Sequence, residues 1–291
     1  MRRIALMIDD MDWHARVLLR AFAEMGADAK PVRVADCAFD SLCPHGLAIP
    51  GFAELPDAVF VRAIGGGSFE EVTRRLGILH ALRELEIPVW NDARAIERCV
   101  DKSTTSFLLA LSGLPTPPTW AVEGLATALE VLRRELPHGR LVLKPLFGSQ
   151  GQGLRLIEQE QDLPPPEVVG GVYYLQRYVP PTNGVFEDRR LFVCGSAVIA
   201  AMTRRAESWI TNIHQGGRPE PVGASGELAD LAVHAAAVMG AHYAGVDMLR
   251  GADGRTVVLE VNSMPGWRAL QKVAPTDIAG RLVTALLNSL G

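Results

Sequence analysis

GVDMLRGADGRTVVLEVNSMPG, residues 245–266, is the stretch on which the fold turns. Two apolar runs flank Asp253-Gly254, a dipeptide that favours two-residue hairpin turns. With these two as the central turn residues, Ala252 faces Arg255, and counting back along both strands sets Asp247 opposite Glu260. Asn262 shares the face of Glu260 because side chains alternate along a strand. Like charges directly opposite are destabilising. At about 5 Å and an effective dielectric near 20, the repulsion is roughly 3 kcal/mol. A divalent cation reverses that cost. Oxygen donors without His or Cys select magnesium or manganese over zinc. Asp247, Glu260 and Asn262 are therefore the candidate metal ligands. A longer turn would break this register and leave the same acids solvated on a hairpin edge.

Working outward, KPLFGSQGQGLRLI, residues 144–157, sets Gly148, Gly151 and Gly153 between two apolar runs. Glycine loses more entropy on ordering than any other residue, so three of them imply close approach to the backbone. The spacing of Gly148 and Gly153 fits a Walker loop, but Leu154-Arg155 follows in place of Lys-Ser/Thr. The G-x-G-x-x-G dinucleotide pattern is absent. What remains is a strand–loop–strand hairpin whose N–H groups could fold over phosphates, with Lys144 supplying a point charge on the entering strand. Alone, such a hairpin reads equally as a plain surface loop. Lys102, Lys144, Arg190, Arg204 and Arg205 are scattered in sequence. All but Lys102 sit in or beside apolar strand patterns, where an unpaired charge is costly. With the hairpin acids they suggest a polyphosphate held between domains.

Along the chain, strands are predicted at 3–8, 29–34, 58–62 and 88–90, alternating with helices at 13–25 and 69–86. Ser68 and Glu71 form a capping-box pattern. Such alternation argues for a parallel sheet covered on both faces. A helical stretch over 91–112, in one or two pieces, precedes LSGLPTPPTW, a proline-rich hinge. Further on, a helix at 123–136, strands at 172–177, 189–193, 196–204, 244–250 and 256–261, a helix capped by Ser225 and a helix at about 275–290 give an α+β pattern. The predicted domains are 1–95, 96–175 and 176–291. The chain has 291 residues, 48% of them hydrophobic, enough for two or three cores. A net charge of −4 gives no support for a nucleic-acid partner. Cys37, Cys43, Cys99 and Cys194 lie at no metal-ligand spacing and read as buried free thiols in a reducing cytoplasm. The start is too short in apolar residues for a signal peptide, and no run suits a membrane span. The expectation is a soluble cytoplasmic protein, with a homodimer or homotetramer left open.

The motifs NDARAIERCVDK (91–102), VLKPLFGSQGQG (142–153), YLQRYV (174–179), EDRRLFV (187–193), AMTRRA (201–206), TNIHQGG (211–217), GVDML (245–249) and LEVNSMPG (259–266) occur in an order that resembles the ATP-grasp fold, and within it the RimK-like α-L-glutamate ligases. The resemblance implies an α/β ATP-grasp fold behind an N-terminal Rossmann-like domain, with ATP and two magnesium or manganese ions as cofactors. It implies that Lys102 and Lys144 contact ATP phosphates under the loop Gly148, Ser149, Gln150, Gly151, Gln152 and Gly153. Adenine would lie along Gln176, Arg177, Tyr178 and Val179, with Asp188 and Asn212 also at the nucleotide. Arg190 and Asn262 would face the reacting carboxylate, and Arg204 and Asn212 would help hold substrate or phosphate. Arg177 stands where relatives are often acidic, and Gln215 where the ribosomal-protein-modifying relatives carry arginine. PGWRALQKV (265–273) is more similar to ligases of one-carbon cofactors such as tetrahydromethanopterin or methylofuran.

The implied chemistry is carboxylate activation by ATP to an acyl phosphate, then attack by an amine, that of L-glutamate. Such a site works by positioning and by cations placed where negative charge builds up. It needs no nucleophilic side chain, and His214 is given a positional role. The acceptor, a cofactor carboxylate or a peptide end, would be read by DDMDWH (9–14) and VRAIGGGS (61–68) at strand ends facing a crevice. Two other readings are a ligase for a different amino acid and a nucleotide-binding regulatory module without turnover.

Overall fold

The computed structural model describes residues 1–148 and 151–291. The first ninety residues form a parallel sheet in the order β2-β1-β5-β6. Its strands are β1 (Arg3–Ile8), β2 (Asp28–Arg33), β5 (Ala58–Val61) and β6 (Val89–Trp90). A small hairpin of β3 (Ala38–Phe39) and β4 (Leu47–Ala48) lies apart from it. Strands β1 and β5 are almost wholly buried, as a sheet covered on both faces requires. Helix α1 (Trp13–Glu24) starts where the Asp12 carboxylate accepts the Ala15 N–H at 2.7 Å. Helix α2 (Phe69–Glu84) starts with the predicted Ser68–Glu71 capping box. The chain moves from β1 to β2 on one side and returns to β5 on the other, so loops after β1 and β5 diverge into a crevice.

The helical stretch divides into α3 (Ala93–Val100) and α4 (Lys102–Leu111). Asp101 ends the first and caps the second through the Ser103 N–H at 2.9 Å, which fixes Lys102 as the first residue of α4. Next comes an antiparallel sheet, β7-β10-β8-β9, made of β7 (Thr119–Glu123), β8 (Leu141–Lys144), β9 (Arg155–Ile157) and β10 (Val172–Arg177). Helix α5 (Leu125–Glu135) packs on it around Leu132, Leu141, Tyr173 and Leu175. Strand β7 falls in the stretch read from sequence as hinge and helix start.

The last sheet is antiparallel, β13-β12-β11-β14-β15. It comprises β11 (Phe186–Cys194), β12 (Ala197–Ala206), β13 (Arg218–Pro221), β14 (Tyr243–Arg250) and β15 (Thr256–Asn262). Helix α6 (Glu227–Met239) covers one face over Leu191, Val193, Val246 and Val261. Ser225 does not cap α6: the N-cap is Gly226, at φ +60° with no side-chain bond, so the serine lies one residue outside the helix. The short α7 (Arg268–Gln271) and α8 (Ile278–Ser289) close the chain.

One core joins the first and last sheets. Leu6, Phe22, Phe60 and Trp90 pack with Phe192, Tyr243, Trp267 and Leu286. Asn91, fully buried, bolts them together. Its amide donates to the carbonyls of Tyr243 (2.7 Å) and Ser263 (2.6 Å), and its oxygen accepts the His242 N–H at 2.6 Å. All four cysteines are free thiols. Cys37, Cys99 and Cys194 are buried, and burial pushes their thiols up to about 11, about 12 and about 11; Cys43 is partly exposed, contrary to expectation. Among the described residues no helix is long and apolar enough to cross a membrane.

Candidate active site

The antiparallel register of the last sheet assembles the site. Across three strands Arg190 lies opposite Asp247, and Asp247 opposite Glu260. Two residues along, Asp188 lies opposite Arg204, and Asn262 lies opposite Gly245. Alternation puts these six polar side chains on one face. Further along that face Phe192 and Met202 enter the core shared with the first sheet. One sheet face thus serves as core at one end and as cleft floor at the other.

The pairing of Asp247 with Glu260 is as counted from sequence, but two departures produce it. The Gly251 carbonyl accepts the Gly254 N–H, Gly254 takes φ +79°, and the last strand pair is Arg250 with Thr256. The turn is therefore one residue off the predicted pairing of Ala252 with Arg255. A β-bulge at Leu259 shifts the register back by one. The bulged strand is an edge, and the hinge covers it. The Val258 N–H donates to the Pro115 carbonyl at 2.8 Å, and Thr116 Oγ1 donates to the Val258 carbonyl at 3.0 Å.

Charges on this floor are unequally satisfied. Asp247 accepts a forked pair from Arg190, Nε to Oδ1 at 2.7 Å and Nη2 to Oδ2 at 2.6 Å, and stands 3.0 Å from Arg204 Nη2. Burial alone would raise its carboxyl, but Arg190 and Arg204 hold it down at about 2. Arg204 forks onto Asp188 as well, at 2.7 and 2.5 Å, and Thr211 Oγ1 donates to Asp188 at 2.8 Å. Both oxygens of Asp188 are thus engaged within the protein. Asp188 also lines the cleft, where it orients Arg204. Glu260 has no ion-pair partner among the described residues. Arg205 points the other way along its strand, into exposed pairs with Glu187 and Glu220, and leaves the expected basic cluster.

Lys144, at the end of β8, lines the same cleft. Burial lowers its ammonium to about 8, assisted by Lys102 and opposed by Glu260 and Asp247. Lys102 donates to the carbonyls of Gly148 (2.9 Å) and Leu146 (3.4 Å), tying α4 to the glycine loop. Gly151 and Gly153 both take left-handed φ, +70° and +72°. A Cβ on Gly151 would stand 3.1 Å from Ile210, and one on Gly153 2.7 Å from Pro145. The loop therefore crosses onto the segment 210–215, which answers why it carries glycine. Ser149 and Gln150 lie outside the described residues. Gly148, Gly151 and Gln152 line the cleft.

Gln176, Arg177, Tyr178 and Val179 form one wall of this cleft of about 780 Å³. Gln176 is buried, and its amide reaches Thr119 and Tyr174 at 3.4 Å. The Arg177 guanidinium bonds Glu135 and lies 5.8 Å from the Trp120 ring. Its charge is thus spent on α5. The Tyr178 N–H is held by the Arg140 carbonyl at 2.9 Å, whereas the Val179 N–H has no partner among the described residues. Asn212 lines the cleft and caps a short turn by accepting the His214 N–H at 2.9 Å.

The opposite wall was only partly legible in the sequence. His14 Nε2 accepts the backbone N–H of Trp267 (3.0 Å) and Arg268 (3.2 Å), so its proton sits on Nδ1, 2.8 Å from Asp12 Oδ2. Arg62, at the end of β5, reaches Asp12 at 3.3 Å and packs 5.6 Å from the Trp267 ring. Arg268, Lys272, Trp209 and Thr211 also line the cleft or brace it. Asp12, His14, Arg62, Arg268 and Lys272 fall in stretches singled out above, 9–14, 61–68 and 265–273, but no local pattern shows that these stretches meet, because they do so only through the packing of the first sheet against the C-terminal part of the chain; Trp209, packed on Tyr178, carried no such mark.

The oxygen donors Asp247, Glu260 and Asn262 fit a hard cation. Among the described residues no three acids, histidines or cysteines cluster as a closed metal cage. Two acids and an amide suit an ion that shares its shell with phosphates. A parallel-sheet domain, a glycine hairpin with two lysines and an acidic antiparallel floor together define an ATP-grasp enzyme. Residues 99–286 match the model of the RimK-like ATP-grasp domain. The chain belongs to that family and is an ATP-dependent carboxylate–amine ligase. It is 38% identical to the tetrahydromethanopterin:α-L-glutamate ligase of Methanococcus maripaludis over 235 residues, 79% of this chain and 78% of that protein. It is 37% identical to a probable α-L-glutamate ligase of Alkalilimnicola ehrlichii, covering 70% of each. The ATP-grasp ligase PsnB, solved with its minimal precursor, Mg and ADP, superposes at TM-score 0.75 over 99% of this chain and 97% of that one, with 21% identity, a likeness of fold.

Proposed function

We propose that this cleft joins L-glutamate to an acceptor carboxylate on a one-carbon cofactor of the tetrahydromethanopterin type, consuming ATP. The carrying observation is the cross-strand row Arg190–Asp247–Glu260 with Lys144 and the glycine loop on the same cleft. The names of the relatives support the substrates. Lys102 and Lys144 bind phosphate oxygens, and the loop 148–153 covers them. Asp247, Glu260 and Asn262 would hold one or two magnesium ions, which when bound neutralise the charge of the phosphates. Arg190 has its Nε and Nη2 fixed on Asp247, leaving Nη1 to donate to an oxygen of the reacting carboxylate. That carboxylate attacks the γ-phosphorus and ADP leaves. The glutamate amine then adds to the acyl phosphate, loses its proton, and phosphate departs as the amide forms. Arg190 and Arg204 stay in place throughout, so their charge meets the oxyanions without reorganisation.

The test is mass analysis and phosphate release with tetrahydromethanopterin, L-glutamate, ATP and magnesium. One glutamyl addition per phosphate supports the reading. Turnover only with another amino acid or another acceptor would replace those substrates. No phosphate release with any carboxylate–amine pair would point to a binding module.

A further inference from the structure

The wall built from the first sheet and α7 carries more cationic charge than it uses. Arg62, Arg268 and Lys272 all line the cleft. Asp12 is the carboxylate at this end, and its oxygens are taken. Oδ1 accepts the Ala15 N–H at 2.7 Å, and Oδ2 faces His14 at 2.8 Å and Arg62 at 3.3 Å. Arg268 and Lys272 have no ion-pair partner among the described residues. They are four residues apart across α7 and its C-cap, a spacing that puts two side chains on one helix face. Two unpaired cations on one face repel each other. Their neighbour His14 reports the same field: burial, then Arg62, and more weakly Arg268, lower its pKa despite Asp12.

Placement adds a second argument. Arg62 directly follows β5, and Asp12 and His14 follow β1, the two strands between which the chain reverses direction of travel. In open parallel sheets that crevice is where ligands bind. Arg62 is held rigidly there, only 13% exposed, between Asp12, the Met264 carbonyl and the Trp267 ring. His14 fixes the start of α7 through the Trp267 and Arg268 N–H groups, which sets where Arg268 and Lys272 stand. Met264 is two residues past Asn262, so this charge lies beside the reacting end of the cleft.

We propose that Arg62, Arg268 and Lys272 form a subsite for a carboxylate of an organic substrate other than the one being activated, with His14 as its positioning residue. This rests on the ligase reading of the same cleft. Two sources carry such a group: the incoming amino acid, or an acceptor with a second acid. The subsite favours dianionic substrates and disfavours neutral ones of the same shape.

The test uses protein saturated with a non-hydrolysable ATP analogue and magnesium, and follows the indole ¹⁵N–H signals of Trp13 and Trp267. These rings stand 6.0 Å from Arg268 and 5.6 Å from Arg62. Glutarate, a dicarboxylate without an amine, and L-glutamate are titrated separately. One of them should shift both signals saturably, and Arg268→Met with Lys272→Met, both exposed positions, should weaken that Kd about tenfold or more. If L-glutamate moves the signals and displaces glutarate, the subsite takes the amino acid. If only glutarate moves them, it takes the acceptor. The proposal is overturned if neither ligand shifts either signal, or if the double variant binds as wild type does. Loss of nucleotide-analogue binding by the wild-type protein would sink the ligase reading instead.

Discussion

At the residue scale the site is a balance of charges that nucleotide and metal complete. Glu260 faces Asp247 with no cation of its own among the described residues. Replacing Glu260 by Gln removes a like-charge contact, so the ligand-free protein should melt at or above the wild-type temperature. Its turnover should fall by about a hundredfold or more, since charge stabilisation at phosphate is lost. Wild-type turnover in that variant would remove Glu260 from the site. Lys144 carries a second prediction. With its ammonium lowered to about 8 by burial, it loses its proton as pH rises past that value. Affinity for an ATP analogue should therefore drop between pH 7 and 9, and Lys144→Arg, which stays charged, should abolish the drop. Calorimetric titration at both pH values decides it. A wild-type affinity flat across that range would mean Lys144 does not touch phosphate.

At the element scale the β14–β15 hairpin shows how much a sequence can yield. Asp253-Gly254 marks the turn and alternation marks the face, so sequence alone assembles Asp247, Glu260 and Asn262. It does not show the bulge at Leu259, since the strand beside it is paired with the hinge, Val258 bonding the Pro115 carbonyl and the Thr116 hydroxyl from the far side of the central sheet's sequence. The count succeeded because the turn and the bulge each shift the register by one, in opposite senses. The Ser68–Glu71 capping box was legible for the same reason as the turn, because its chemistry is local, whereas the Ser225 cap missed by one residue. The His14 latch was not legible, because the N–H donors it accepts from lie more than 250 residues off. That latch makes an element-scale prediction. His14→Leu leaves two N–H groups of the 263–268 segment without an acceptor, which should cost about 2 kcal/mol; His14→Gln should recover part of it. The pH sense follows from the lowered pKa of His14, set by burial and Arg62. The unfolded chain binds the proton more readily, so the latch stabilises fully above pH 6.5 and loses its contribution as pH falls below that. Urea unfolding at pH 7.5 and 5.5 should show a smaller loss in His14→Gln than in wild type. An equal loss in both would assign the acid sensitivity elsewhere, for instance to His242, whose pKa burial also lowers.

At the scale of the whole molecule, the boundaries expected near 95 and 175 fall inside α3 and β10, whereas the cores divide the chain by what packs. The central sheet owns a core of its own, around Leu132, Leu141 and Leu175. The first and last sheets share theirs, with Phe60 stacked 4.9 Å from Tyr243 and Trp267 packed on Phe192. Sequence patterns could not show this sharing, because an apolar strand face looks the same whichever sheet it meets. The functional consequence is a rigid cradle, first plus last sheet, carrying the acidic floor and the cationic wall. The central sheet, with its glycine loop, is attached mainly through the proline hinge and α4. Asn91 tests the partition. Its amide serves two carbonyls and one or two N–H groups of the last sheet from a fully buried position. Asn91→Ala should cost about 3 kcal/mol, the sum of several buried groups left unpaired. Native-state hydrogen exchange should then speed up together in peptides from β1, β5, β11 and β14, while β8 and β10 keep wild-type protection. Were β1 and β5 to loosen without β11 and β14, the two sheets would be separate folding units, and the cleft between them would be a hinge instead of a fixed wall.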